Sequence, residues 1–181
     1  MLHSSKTILL KNKKTALLRS PMLSDAIPMI NFQKQCALET PFLLRSPEEC
    51  EITEEQQKIA IEAANCSDTL LMLLCMIDNE VAGSCQIIFQ KRLKTQHRGE
   101  IALAITKKYW GLGIGTAMIQ ELIAIAKQQH LLQLELEYIE GNKRGENLYK
   151  KMGFSHVGEH PNAIRLKDGQ MLKLILMIKE L

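Results

Sequence analysis

No stretch of this 181-residue chain approaches the roughly 20 apolar residues that a helix needs to cross a bilayer. Its start, MLHSSKTILLKNKK, holds only a short apolar run before charge returns, too little for the apolar segment of a signal peptide. There is no strong excess of one charge. With 23 Lys+Arg against 20 Asp+Glu the formal net charge is +3, which lacks the concentrated basic face of a nucleic-acid binder. Among five cysteines (Cys36, Cys50, Cys66, Cys75, Cys85) there is no CxxC and no metal-ligand pairing with histidine, so no zinc site is expected. The odd cysteine count and the missing signal point to a reducing cytoplasm. Internal repeats, low-complexity tracts and a second-domain linker are also absent. At 46% hydrophobic and 24% charged residues, disorder and fibrous classes are excluded. The expectation is a single domain over residues 1–181 with a sizeable core.

What is present is an ordered set of elements. KTILL and TALLR flank KNKK as a small edge hairpin. Ser24 and Asp25 can cap a helix reaching Cys36, with Pro28 tolerated in its first turn. PFLLRSPEEC, with two prolines, is a loop. Thr53 followed by Glu54, Glu55 and Gln56 resembles a capping box, opening a helix to about Asn65. LLMLLCMI, a turn at DNE, and VAGSCQIIFQKRL form an antiparallel hairpin. Cys75 and Cys85 sit in these apolar runs and are expected as buried filler. Further on, Leu132, Leu134, Leu136 and Tyr138 alternate with polar residues as a half-buried strand. Asn142, Lys143 and Arg144 open a short helix, GENLYKKM, that ends at Gly153. Phe154 begins another extended run, and RLKDGQMLKLILMIKEL closes the chain as a hairpin.

The most informative segment is EIALAITKKYWGLGIGTAMIQELIAIAK, residues 100–127. An apolar strand meets a glycine-rich bend and then an amphipathic helix in which Ile114, Met118, Ile119, Leu122, Ile125 and Ala126 share a face. Gly111, Gly113 and Gly115 permit positive φ and close approach. The helix N-terminus presents unpaired N–H groups and a positive dipole end to the same space. A phosphate or pyrophosphate suits that site. A nucleotide P-loop is set aside, because no Lys precedes Thr116 after the last glycine. A dinucleotide fold would need G-x-G-x-x-G straight after the strand. GLGIG is one residue short and only one βαβ candidate exists, although Glu135 and Glu137 lie near the distance of the acid that binds ribose.

YWGLGIG, followed by Asn142 to Tyr149 and then KKMGF, resembles the GNAT superfamily of acyl-CoA-dependent N-acetyltransferases. The family's loop pattern falls on Trp110, Gly113 and Gly115, and its second block on Asn142, Arg144, Leu148, Tyr149, Gly153 and Phe154. Trp110 stands where Arg or Gln is usual, so one cofactor contact is expected to be missing. Gly145 replaces the usual Ala at a helix-interior cost of about 1 kcal/mol, which predicts a frayed or later helix start. The resemblance implies an α/β (α+β mixed) fold: a mostly antiparallel sheet of six or seven strands, a parallel splayed pair at its centre, and about four flanking helices.

It also implies direct acetyl transfer from acetyl-CoA, with no metal, to a primary amine of a small molecule or protein. The alternative is an acyl-CoA-binding or regulatory module without turnover. The pyrophosphate would lie on the backbone of Gly111, Leu112, Gly113, Ile114, Gly115 and Thr116, and the pantetheine would pair with Ala104, Ile105 and Thr106. Trp110, Asn142, Arg144 and Tyr149 complete the implied cofactor set. Tyr149 is the implied proton donor to the leaving sulfur, or else a packed helix tyrosine, and Asn142 is a ligand contact or a helix cap. Glu100, with His97 as the other candidate, is the implied base. Lys107, Lys108, Lys143, Arg144, Lys150 and Lys151 gather beside both blocks, either for the 3′-phosphate or as solvated faces. An acid found in relatives near Lys173 or Leu174 is missing. No nucleic acid or membrane partner is implied, and the strand edges could support a homodimer.

Overall fold

The computed structural model covers residues 1–181, built on one mixed sheet of eight strands. In chain order these are β1 (Lys6–Leu9), β2 (Thr15–Arg19), β3 (Leu70–Ile77), β4 (Glu80–Phe89), β5 (Arg98–Ile105), β6 (Gln133–Ile139), β7 (Ser155–Arg165) and β8 (Met171–Glu180). Across the sheet they lie in the order β1-β2-β3-β4-β5-β6-β8-β7. The four α-helices are α1 (Ala26–Glu39), α2 (Glu54–Cys66), α3 (Ile114–Gln128) and α4 (Lys143–Lys151). This is the expected mixed sheet, with eight strands rather than six or seven because both terminal hairpins join it.

Local chemistry sets most boundaries. Thr53 Oγ1 accepts from the Gln56 amide at 3.2 Å and Gln56 Oε1 accepts from the Thr53 amide at 2.9 Å, the reciprocal box that starts α2. Asp78 and Asn79 both take positive φ, +49° and +65°, as a two-residue hairpin turn of type I′ requires. Glu80 therefore opens β4 instead of sitting in the turn. Asp25 does not cap α1 with its side chain. Its carboxylate is taken by the Arg19 guanidinium, at 2.6 and 2.8 Å, and by the Met22 amide at 2.7 Å.

Helices cover the sheet on both faces. Met118, Ile119 and Leu122 of α3 are fully buried against Leu73, Ile87 and Leu134 on one face. Met29, Phe32 and Ile61 of α1 and α2 pack with Leu74 and Val81 on the other. All strand pairs are antiparallel except β5 and β6. That pair joins only at Arg98–Gln133, Gly99–Leu134 and Glu100–Glu135. Beyond Glu100 the strands part, leaving a wedge-shaped gap in the middle of the sheet. A doubly wound dinucleotide fold, which needs a mostly parallel sheet, is not what forms.

Burial alone would raise the Asp25 pKa, but the Arg19 and Met22 hydrogen bonds outweigh it and hold the carboxyl below the usual range. The contribution to stability is thus present above the ordinary carboxylate pKa, about 4, and fades as pH falls through the folded value. Asp25→Asn is expected to destabilise the protein by about 3 kcal/mol at pH 7 in urea denaturation, with the difference shrinking below about pH 4.

Candidate active site

After β5 the chain makes a short 3₁₀ turn at Lys107–Tyr109 and enters α3 through Gly111–Gly113. Gly111 and Gly113 have φ of +82° and +93°, the left-handed region where a Cβ is strained. The amides of Gly111, Leu112 and Gly113 donate to no backbone acceptor, and Ala117 is the first to bond back, to the Gly113 carbonyl at 3.1 Å. The first-turn amides of Ile114, Gly115 and Thr116 likewise have no carbonyl four residues behind them. A run of free donors therefore converges at the positive end of α3. Gly115 serves a second need: a Cβ there would lie 2.7 Å from Leu148 Cδ2, so the glycine admits α4 to the start of α3.

The edge of β5 that faces the gap follows from its hydrogen bonds. The Thr106 amide donates to the Ala82 carbonyl of β4 at 3.2 Å. In a planar trans peptide the Ile105 carbonyl must then point the opposite way, into the gap. Alternation puts Leu103 on the same open edge and turns Ala104 and Thr106 toward β4. Of the three pantetheine positions named from sequence, Ile105 presents its backbone to the gap, and Leu103 joins it. Leu103 was missed, although the period-two rule would have found it.

Trp110 makes contacts of its own within the protein. Its Nε1–H donates to the Ile105 carbonyl at 2.7 Å, and the Arg144 guanidinium stands 4.5 Å from the ring centroid, a cation–π contact. The indole thus joins the end of β5 to the start of α4 across the mouth of the gap.

α4 begins at Lys143, without the delay expected from Gly145. Asn142 Oδ1 caps it by accepting from the Gly145 amide at 2.9 Å, and a Cβ on residue 145 would fall 2.8 Å from Asn142 Nδ2. Glycine here makes room for the cap. α4 carries Tyr149 into the α3 side of the core, where its ring lies 5.8 Å from Tyr138 and 6.3 Å from Phe154. Burial, then the neighbouring Tyr138, pushes its pKa up to about 12. Tyr138, on β6 beside the gap, was read from sequence only as a packing residue.

Glu100 lies on the opposite face. It is exposed at the last pair of the closed part of β5 and β6. With Arg98, Glu135, Glu137, Leu176 and Ile178 it lines a groove of about 350 Å³. Arg98 binds Glu135 at 3.0 Å. The structure therefore does not bring Glu100 and Tyr149 together on one face; the gap separates them. The His97 carbonyl accepts from the Leu132 and Gln133 amides, which sets this residue at the closed end, farther from the opening than Glu100.

Most of the basic cluster is engaged elsewhere. Lys108 binds Glu80, Lys143 and Lys150 both bind Glu146, and Arg144 covers Trp110. Lys173 binds Glu159 and Glu140. Burial pushes the Cys75 thiol up to about 12, and the Cys85 thiol is raised as well, so neither is a ready nucleophile. A Cβ at residue 113 would be strained by about 1–2 kcal/mol. Gly113→Ala is accordingly expected to lower stability by about 1–2 kcal/mol in urea denaturation.

Comparison with known proteins places this geometry in a family. The model of the acetyltransferase (GNAT) family matches residues 36–154. The structure resembles a GNAT-family acetyltransferase from Streptococcus pneumoniae, with a TM-score of 0.84 at 26% identity over 92% of this chain and 99% of that one. It also resembles the ribosomal-protein-alanine N-acetyltransferase of Brucella melitensis, with a TM-score of 0.78 at 22% identity over 91% of this chain and 99% of that one. A third likeness is to a GNAT phosphinothricin acetyltransferase from Sinorhizobium meliloti solved with acetyl-CoA, with a TM-score of 0.78 at 17% identity over 92% of this chain and 88% of that one. Parted central strands, a free-amide loop opening a helix, and a matched stretch that contains both make the chain a member of the GNAT family of acetyltransferases.

Proposed function

We propose that the protein transfers the acetyl group of acetyl-CoA directly to a primary amine of a small molecule or protein. The observation that carries this reading is that the free amides at Gly111–Gly113 follow directly on the edge of β5 that β6 leaves unpaired beyond Glu100. The residues fit such a co-substrate, since the loop supplies donors for a pyrophosphate and the open edge of β5 at Leu103, before the carbonyl that Trp110 takes, offers backbone groups to a pantetheine amide. The likeness to an enzyme solved with acetyl-CoA supports the same choice.

In this reading the loop amides hold the pyrophosphate and the edge of β5 takes the pantetheine as an added strand. Acetyl-CoA supplies the activated thioester. A gap-facing β5 amide receives the thioester oxygen as negative charge develops on it. The amine arrives from the Glu100 face, its nitrogen bonds to the acetyl carbon, and its proton passes to Glu100, directly or through water. The carbon–sulfur bond then breaks and the Tyr149 hydroxyl protonates the thiolate. With its pKa near 12, Tyr149 stays protonated through the assay range, so it imposes no alkaline loss of rate below about pH 11. No cysteine is set up as a nucleophile, which favours a ternary complex over an acetyl-enzyme.

Tyr149→Phe is expected to lower kcat by about 10²–10⁴ while the calorimetric Kd for acetyl-CoA stays unchanged. Equal activity in the variant would remove Tyr149 from the mechanism. A wild-type protein that binds acetyl-CoA but acetylates no amine in a broad acceptor screen would instead support a non-catalytic binding module.

A further inference from the structure

The β1–β2 hairpin lies outside residues 36–154, the stretch that matches the family, yet its turn touches the glycine loop. The Lys11 amide donates to the Leu112 carbonyl at 3.0 Å. The Lys11 stem passes over Gly113, its Cγ 3.7 Å from where a Cβ would stand.

This contact has a directional consequence. Lys11 holds the carbonyl of the Leu112–Gly113 peptide, so the Gly113 amide on the other side of that planar unit must point away from the hairpin. It points where the other free amides gather. We infer that the Lys11 backbone amide is a positioning group for the phosphate cradle, fixing the peptide that the loop's two left-handed glycines would otherwise leave free to turn over. The inference rests on the proposed acetyl-CoA site.

The hairpin is built to hold still. Leu10 is 4% exposed in the main core, and Leu112 packs against that core. Lys6 and His3 both bind Glu121 of α3, the helix that the loop opens. The turn is closed by Leu10 N–H to Lys14 O at 2.8 Å and Lys13 N–H to Leu10 O at 2.9 Å. Lys13 is its one positive-φ residue, at +65°. That pattern is a type I turn followed by a left-handed residue, with Lys11 at the position where proline is favoured. The Lys11 ammonium binds no carboxylate, whereas Lys14 binds Asp78 at 3.2 Å.

Proline at residue 11 therefore preserves the hairpin while deleting the one amide that holds Leu112. Lys11→Pro is expected to raise Kd and KM for acetyl-CoA about two- to tenfold, the loss of one hydrogen bond, with kcat and KM for the amine unchanged. Lys11→Ala, which loses the same side chain but keeps the amide, is the reference, and it is expected to bind acetyl-CoA about two- to tenfold more tightly than Lys11→Pro. In the wild-type protein, exchange of the Lys11 amide should slow when acetyl-CoA binds, because coupling between the two contacts is reciprocal. Wild-type affinity in Lys11→Pro, an equal loss in Lys11→Ala, or Lys11 exchange indifferent to acetyl-CoA would each overturn the inference while leaving the acetyltransferase reading standing. Failure of the unsubstituted protein to bind acetyl-CoA would overturn both.

Discussion

Everything at the candidate site depends on β5 and β6 pairing for only three residues before they part. Two parallel strands in register would satisfy each other's backbone groups and close the sheet. Here the closed part ends at Glu100–Glu135, and the rest of β5 keeps one edge unpaired by its neighbour. A buried strand edge without partners is costly, so the chain covers it selectively. The Trp110 indole takes the last carbonyl, at Ile105, and leaves the edge before it open. The same parting lets the two faces of the sheet meet, with Tyr149 below and Glu100 above.

The loop and helix that follow are a second consequence of this arrangement. β5 ends at the gap, so the glycine turn and the N-terminus of α3 are delivered to its mouth. Three neighbours hold them there. α4 approaches over Gly115, β4 binds Thr106, and the turn of the N-terminal hairpin holds the Leu112 carbonyl. The free amides are pre-set before any anion arrives, which cuts the ordering cost of binding.

Much of this was legible in sequence, for identifiable reasons. The glycine bend, α3, the Thr53 box and the alternation of β6 depend on neighbours within a few residues and form, although Leu132 stays exposed before β6 and Glu121 of α3 is buried under Lys6 and His3. What escaped depends on distant partners. Asp25 was expected to cap α1, but Arg19 on β2 claims its carboxylate. Gly145 was expected to weaken α4, yet it makes room for the Asn142 cap. The bond of Trp110 to Ile105 and its stack on Arg144 bring together residues that no short-range pattern in the chain links. Lys11 lies about a hundred positions from Leu112, and no periodicity links them. Chain order does not show that the two candidate catalytic side chains, Tyr149 and Glu100, lie on opposite faces of the sheet.

The account stands or falls on whether the open edge and its loop recognise acetyl-CoA in particular. Calorimetry of the purified protein with acetyl-CoA, using NADH and ATP as controls, tests this most directly. The account predicts saturable one-to-one binding of acetyl-CoA at about micromolar Kd, with neither control binding comparably. No heat with acetyl-CoA, or equal affinity for ATP, would contradict it, for the cradle would then be a general phosphate site or none.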